Sequence, residues 1–248
     1  MILLALGCAA AEPPVAVHFD PTHAAYDALL SKNVRDGHVD YEALVRDRSG
    51  LDAVLANFAA PDRATVEGWS RDIQLAYWID LYNAQTLRTV IDHWPVTSIR
   101  SIGLLPYSAF RERAFRIRAR TEPLSLDDVE KDIVLAEWKE PRAHMALNCA
   151  SKSCPALAGE PWSRAASEGR LDDALDAAAR GFLADSTKNS WDPTTRTLGL
   201  SRIFDWYSAD FGDVDAWIGR YGPPELVAAV AGQHRVEFRE YDWALNGL

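Results

Sequence analysis

Apolar residues recur at three- and four-residue steps in several stretches, and each such run predicts a helix with one buried face. The clearest spans about Arg71 to His93. There Leu75, Trp78, Ile79, Tyr82, Leu87, Val90 and Ile91 form the stripe, and Pro95 ends it. Asn83 lies between Ile79 and Leu87, one helical turn from each, so an amide sits on or beside the buried stripe. A buried amide must be hydrogen-bonded, so Asn83 either ties the core together or orients a reacting group.

A shorter helix is expected from about Thr22 to Lys32, with Ala25, Leu29 and Leu30 on one side, followed by a turn at Gly37-His38-Val39-Asp40-Tyr41. Another helical stretch runs from Leu51 to Phe58 and closes at Pro61. Ser98 to Glu122 reads as irregular or strand-like. Phe110, Phe115 and Ile117 are its apolar anchors, among arginines that fit a solvated face. Ser125-Leu126-Asp127-Asp128 matches a capping box and opens a helix with Leu126, Val129, Ile133 and Ala136 inside and Glu130 at the border of that stripe. Pro141 breaks it. From Arg142 to Asn148 the residues alternate, Ala143, Met145 and Leu147 facing one way and Arg142, His144, Ala146 and Asn148 the other, which predicts a strand of a central sheet. The remainder predicts a helix near Leu171 to Leu183, a hairpin from Trp191 to Ser201, an aromatic segment Ile203-Phe204-Asp205-Trp206-Tyr207, a helix after Pro223 and an aromatic end at Tyr241-Asp242-Trp243. No repeat or linker interrupts the series. The expectation is a helix-rich α+β single domain over residues 19–248, built around a small, mainly antiparallel sheet.

The 248 residues carry a net charge of -10, which disfavours a nucleic-acid partner because phosphate binding needs clustered Lys and Arg. A cationic or neutral small-molecule or peptide substrate fits better. Met1 to Ala11 is an apolar run followed by small residues, and Leu6-Gly7-Cys8 resembles a bacterial lipobox. Residues 1–18 therefore read as an export signal and lead-in, with Cys8 as the only membrane link, and the protein as periplasmic or an outer-membrane lipoprotein. No later stretch reaches the roughly 18 apolar residues of a membrane helix.

Candidate chemistry concentrates between Pro141 and Pro155, which holds His144, Cys149 and Cys154 with small hydroxyl residues such as Ser151 and Ser153. Thiolates attack carbonyl carbon when a nearby base or helix N-terminus lowers their pKa, and small neighbours let a substrate approach. In an oxidising compartment the same two cysteines could instead form a disulfide. The spacing His-x4-Cys-x4-Cys fits no common zinc pattern, so neither metal nor cofactor is expected. Cys154 could also resolve an oxidised Cys149.

Several segments together resemble the DUF547 family, a group of largely uncharacterised bacterial and plant proteins. They are Tyr77 to Ala84, Pro95 to Gly103, Leu124 to Glu130, Pro141 to Leu157 and Leu200 to Tyr207, within a resemblance spanning Phe19 to Tyr221. The family looks like a distant relative of papain-like and transglutaminase-like cysteine enzymes. That resemblance implies a cysteine-proteinase-like fold, Cys149 as nucleophile, Glu130 as an orienting carboxylate, and Asn83 and Asn148 as hydrogen-bond donors. Relatives usually have Glu-His where this chain has Glu130-Lys131. His144 is the nearest candidate base in sequence. On an extended strand, however, its Cα would lie roughly 16 Å from that of Cys149 and on the opposite face. It can serve Cys149 only if the chain bends near Asn148. The working expectation is a thiol-dependent hydrolase or acyltransferase acting on a peptide, isopeptide or γ-glutamyl-like amide in the cell envelope. Cys149, His144 and Glu130 would be its catalytic residues, and Asn83, Asn148 and Ser153 its oxyanion or substrate contacts. The rival expectation is a non-catalytic envelope scaffold stapled by a Cys149–Cys154 disulfide.

Overall fold

A single long helix, Arg71–Asp92, organises the molecule, and the computed structural model describes the chain around it from residue 19 to residue 248. The segment expected to be an export signal with a lipobox-like Cys8 lies outside the described residues. Ser70 caps the helix by accepting from the Ile73 N–H, and its middle is buried nearly all round, from Leu75 to Ala84. The flanking helices Ala24–Asn33, Tyr41–Arg46 and Ser49–Ala59 complete the larger apolar core with Tyr26, Tyr41, Leu51, Val54 and Phe58. A second, smaller cluster gathers Met145, Phe182, Leu198, Phe204, Phe211, Ile218 and Leu226. The Leu171–Ala184 helix bridges the two, giving Leu171 and Leu175 to the first and Ala179, Phe182 and Leu183 to the second.

The fold is α+β with two small sheets. Strands β1 (Val34–Arg35) and β2 (His38–Val39) form an antiparallel hairpin whose turn residues Asp36 and Gly37 both have positive φ, the requirement of a type I′ turn. A Cβ on Gly37 would come within 2.4 Å of Ala156 Cβ, so glycine lets the hairpin pack onto the segment that follows Cys154. β3 (Ser190–Asp192) pairs antiparallel with β4 (Thr197–Leu200), which pairs parallel with β5 (Arg235–Phe238).

Two sequence expectations are corrected. Arg142 to Asn148 is no strand of a central sheet: Pro141–Met145 is a 3-10 helix, with Pro141 in its first turn and the Glu140 carboxylate accepting from the Arg142 N–H. Every residue from Ala143 to Asn148 is buried, so the alternation carried no facial information. The helix opened by Ser125 does have its capping box. Ser125 Oγ accepts from the Asp128 N–H at 3.0 Å, and Asp128 Oδ2 accepts from the Ser125 N–H at 2.8 Å. Beyond that, Asp128–Trp138 is wound as a π-helix. Its buried positions are accordingly Val129, Ile133 and Val134, with Val134 five residues after Val129, and Ala136 is exposed.

His23 makes stability depend on pH. Its ring stacks on Phe58 at 4.9 Å, and burial pushes its pKa down to about 4 against a weaker upward pull from Asp20. The unfolded imidazole gains a proton near pH 6.5, whereas the folded one does so only near pH 4, so stability falls as pH drops through that window. Urea denaturation at about pH 7 and about pH 4.5 should therefore show a stability loss larger by about 2–3 kcal/mol in the unaltered chain than in His23→Asn, which removes the titrating ring. Equal losses would exclude His23 as the cause.

Candidate functional site

Cys149 sits in a loop locked by side-chain amides. Asn83 donates from Nδ2 to the Ala146 carbonyl at 2.9 Å and accepts the Asn148 N–H on Oδ1 at 2.8 Å. Asn148 donates from Nδ2 to the Pro155 carbonyl at 2.6 Å and accepts the Ala150 N–H on Oδ1 at 3.0 Å. Asp80, on the same long helix as Asn83, accepts from the N–H groups of Trp162 and Ser163 and from the Ser163 hydroxyl, fixing the helix Trp162–Ser167. Burial pushes the Asp80 carboxyl up to about 7 against the pull of those donors. Ala150 takes a left-handed backbone with φ 60°, a conformation costing a non-glycine residue about 1 kcal/mol and one met often where a loop must present a side chain. The C-terminal segment closes the loop from outside: Lys152 donates to the Ala244 carbonyl and Asn246 to the Ala150 carbonyl.

This frame points Cys149 into a cavity of about 380 Å³ walled by Tyr82, Tyr107, Phe110, Tyr207, Tyr241 and Trp243, with Glu130, His144 and Cys154 also on its surface. Cys149 as a residue is partly buried, and its sulfur lies 3.2 Å from Ser151 Oγ and 3.3 Å from Tyr241 OH. Burial opposes ionisation of Cys149, but the donors converging on it from Cys154, Ser151 and Tyr241 prevail and hold this thiol below its ordinary range. Burial pushes the neighbouring Cys154 thiol well up. The two cysteines are free thiols, and the Cys149 N–H donates to Cys154 Sγ at 2.8 Å.

His144 reaches the same cavity because the 3-10 turn shortens the path that a strand would have stretched. Its Nε2 donates to Asp210 Oδ2 at 2.9 Å, and its ring lies 4.2 Å from that of Tyr207 and 5.1 Å from that of Phe211, centroid to centroid. Burial lowers its pKa despite the upward pull of Asp210, so the imidazole is neutral at pH 7. With the proton on Nε2, Nδ1 is the basic nitrogen, and it makes no hydrogen bond among the described residues. No hydrogen bond joins His144 to Cys149.

The carboxylate at His144 is thus Asp210, not Glu130. Glu130 instead accepts from Tyr207 OH at 2.5 Å and from Tyr82 OH at 3.0 Å. Burial together with this carboxylate pushes both phenols up, so they remain protonated donors. Asn83 and Asn148 do not line the cavity, since their polar groups are occupied in holding the loop. Ser153 faces away too, accepting the Asp242 N–H at 2.8 Å. Asp210 and Tyr241 escaped the sequence reading as site residues because each joins the site from far along the chain, and Ser151 entered it only as a small hydroxyl neighbour of Cys149.

No curated protein and no solved structure matches the chain. Residues 66–183, just under half of it, match the family model described as protein of unknown function, DUF547. The matched stretch holds Asn83, Glu130, His144, Cys149 and Cys154, while Asp210 and Tyr241 lie beyond its end. Over residues 66–183 the protein belongs to the DUF547 family.

Proposed function

We propose that the protein is a thiol-dependent hydrolase or acyltransferase of amides or esters, with the cysteine-proteinase-like roles of nucleophile, base and orienting carboxylate filled by Cys149, His144 and Asp210. The observation that carries this reading is the sulfur itself. It belongs to a residue that lines a cavity, lies within hydrogen-bond distance of two hydroxyl groups, and shares that cavity with an imidazole held in one tautomer by a carboxylate.

In the first step the Cys149 thiol proton passes to His144 Nδ1, and the thiolate attacks the carbonyl carbon. The carbonyl π electrons move onto oxygen. Local backbone donors are already engaged, Cys149 N–H with Cys154 and Ala150 N–H with Asn148. The Tyr241 and Ser151 hydroxyls beside the sulfur are left to stabilise that oxyanion. Collapse expels the amine or alcohol, which takes the proton from His144 and leaves a thioester on Cys149. Water hydrolyses that thioester, or an amine captures the acyl group. A peptide, isopeptide or γ-glutamyl-like amide suits a cavity of this size, and the lipobox-like Leu6-Gly7-Cys8 would place the reaction in the cell envelope.

Profiling a panel of amide and ester substrates with intact protein, and with protein blocked at Cys149 by iodoacetamide, tests the proposal. Turnover of at least one substrate that disappears on blocking is expected. Equal rates before and after blocking would remove Cys149 from the chemistry.

A further inference from the structure

Glu130 carries an unmatched charge. Its two oxygens accept from Tyr82 and Tyr207, which leaves each a free lone-pair direction, and no Lys, Arg or His forms an ion pair with it among the described residues. Of the other charged groups lining the cavity, Lys131 pairs with Asp127 at 2.9 Å and Arg111 is solvent-exposed. A half-buried carboxylate without a cation, inside a cavity walled by aromatic rings, is complementary to an ammonium group, which gains both the charge pair and the ring faces. Glu130 also opposes negative charge on Cys149, and a cation bound to it would relieve that opposition.

We infer that the cavity takes acyl substrates bearing a free primary ammonium, seated on the Glu130 carboxylate. The inference rests on the reading of Cys149 as nucleophile and adds the substrate class. It gives Glu130 a binding role while Asp210 orients the base.

Thiol-specific methanethiosulfonates test it without requiring turnover. Cys149 attacks the sulfenyl sulfur, a mixed disulfide forms and methanesulfinate leaves. Labelling of the Cys149 peptide is followed by mass spectrometry with the aminoethyl (cationic), methyl (neutral) and sulfonatoethyl (anionic) reagents, each rate divided by that of a simple thiol. The aminoethyl reagent should lead the sulfonatoethyl reagent by a factor on the order of 10–100. Glu130→Gln, which removes the charge and keeps an acceptor oxygen for one of the two tyrosine hydroxyls, should bring the ratio close to that of the simple thiol. Both charged-reagent rates are read against the methyl rate of the same variant, because Glu130 also opposes ionisation of Cys149. In the unaltered chain, glycinamide should slow labelling by the aminoethyl reagent. A reactive Cys149 with no preference for the cation, or a preference unchanged in Glu130→Gln, overturns the ammonium site and leaves the nucleophile standing. Inertness toward all three reagents removes the nucleophile and the inference together.

Discussion

His144→Ala is expected to lower kcat by a factor on the order of 10³–10⁴ on whichever acyl substrate the protein turns over, the range for losing a general base. The sulfur would keep Ser151 and Tyr241 as partners, so alkylation of Cys149 should fall far less than turnover. That split separates loss of the base from collapse of the site. Asp210→Ala should act through the imidazole, freeing Nε2 and letting the ring turn between Tyr207 and Phe211, with a loss on the order of tenfold or more. In the unaltered protein the acid limb of kcat/KM should fall below the ordinary histidine value of 6.5, because burial lowers His144 and the neutral form is the active one. Unchanged kcat in His144→Ala would show that protons move by another route.

Asn83→Ala should produce the largest loss of stability at the site, about 2–5 kcal/mol in urea denaturation. Asn83 is 1 % exposed, and its removal would leave the Ala146 carbonyl and the Asn148 N–H buried without partners. Asn83→Asp is the informative companion. It keeps an acceptor for the Asn148 N–H but places an oxygen against the Ala146 carbonyl, so it should be at least as destabilising as the alanine variant. Stability unchanged in Asn83→Ala would mean that the loop is held by its C-terminal contacts alone.

Local signals carried much of the fold. The long helix was legible almost to the residue because its apolar stripe and its terminating proline agree. The capping box at Ser125 and the helix at Leu171 were legible for the same reason, whereas at Gly37 a turn was legible but the two short strands it joins were not. The segment around His144 misled because it is buried on every side, where an alternating pattern has no polar face to mark and a proline-started 3-10 turn fits equally well. Reading it as a strand created the objection that His144 and Cys149 face apart, and the turn removes it. The Ser125 helix misled at its far end, since a step of five residues looks like noise to a search at 3.6. Cys149 and His144 were legible as chemistry-bearing residues. Asp210 and Tyr241 were not, because the contacts that recruit them cross 66 and 92 residues of chain.

The rate of Cys149 alkylation by iodoacetamide as a function of pH, followed on the Cys149 peptide in unreduced protein, probes the central point that this sulfur is an accessible and readily ionised nucleophile. The expected profile rises to a plateau with an inflection below the ordinary thiol value of 9.0, and the inflection moves upward in Ser151→Ala and Tyr241→Phe, which each remove a donor to the sulfur. A rate that keeps climbing past pH 9 in the unaltered chain, or a Cys149 that reacts only after reduction, would contradict it.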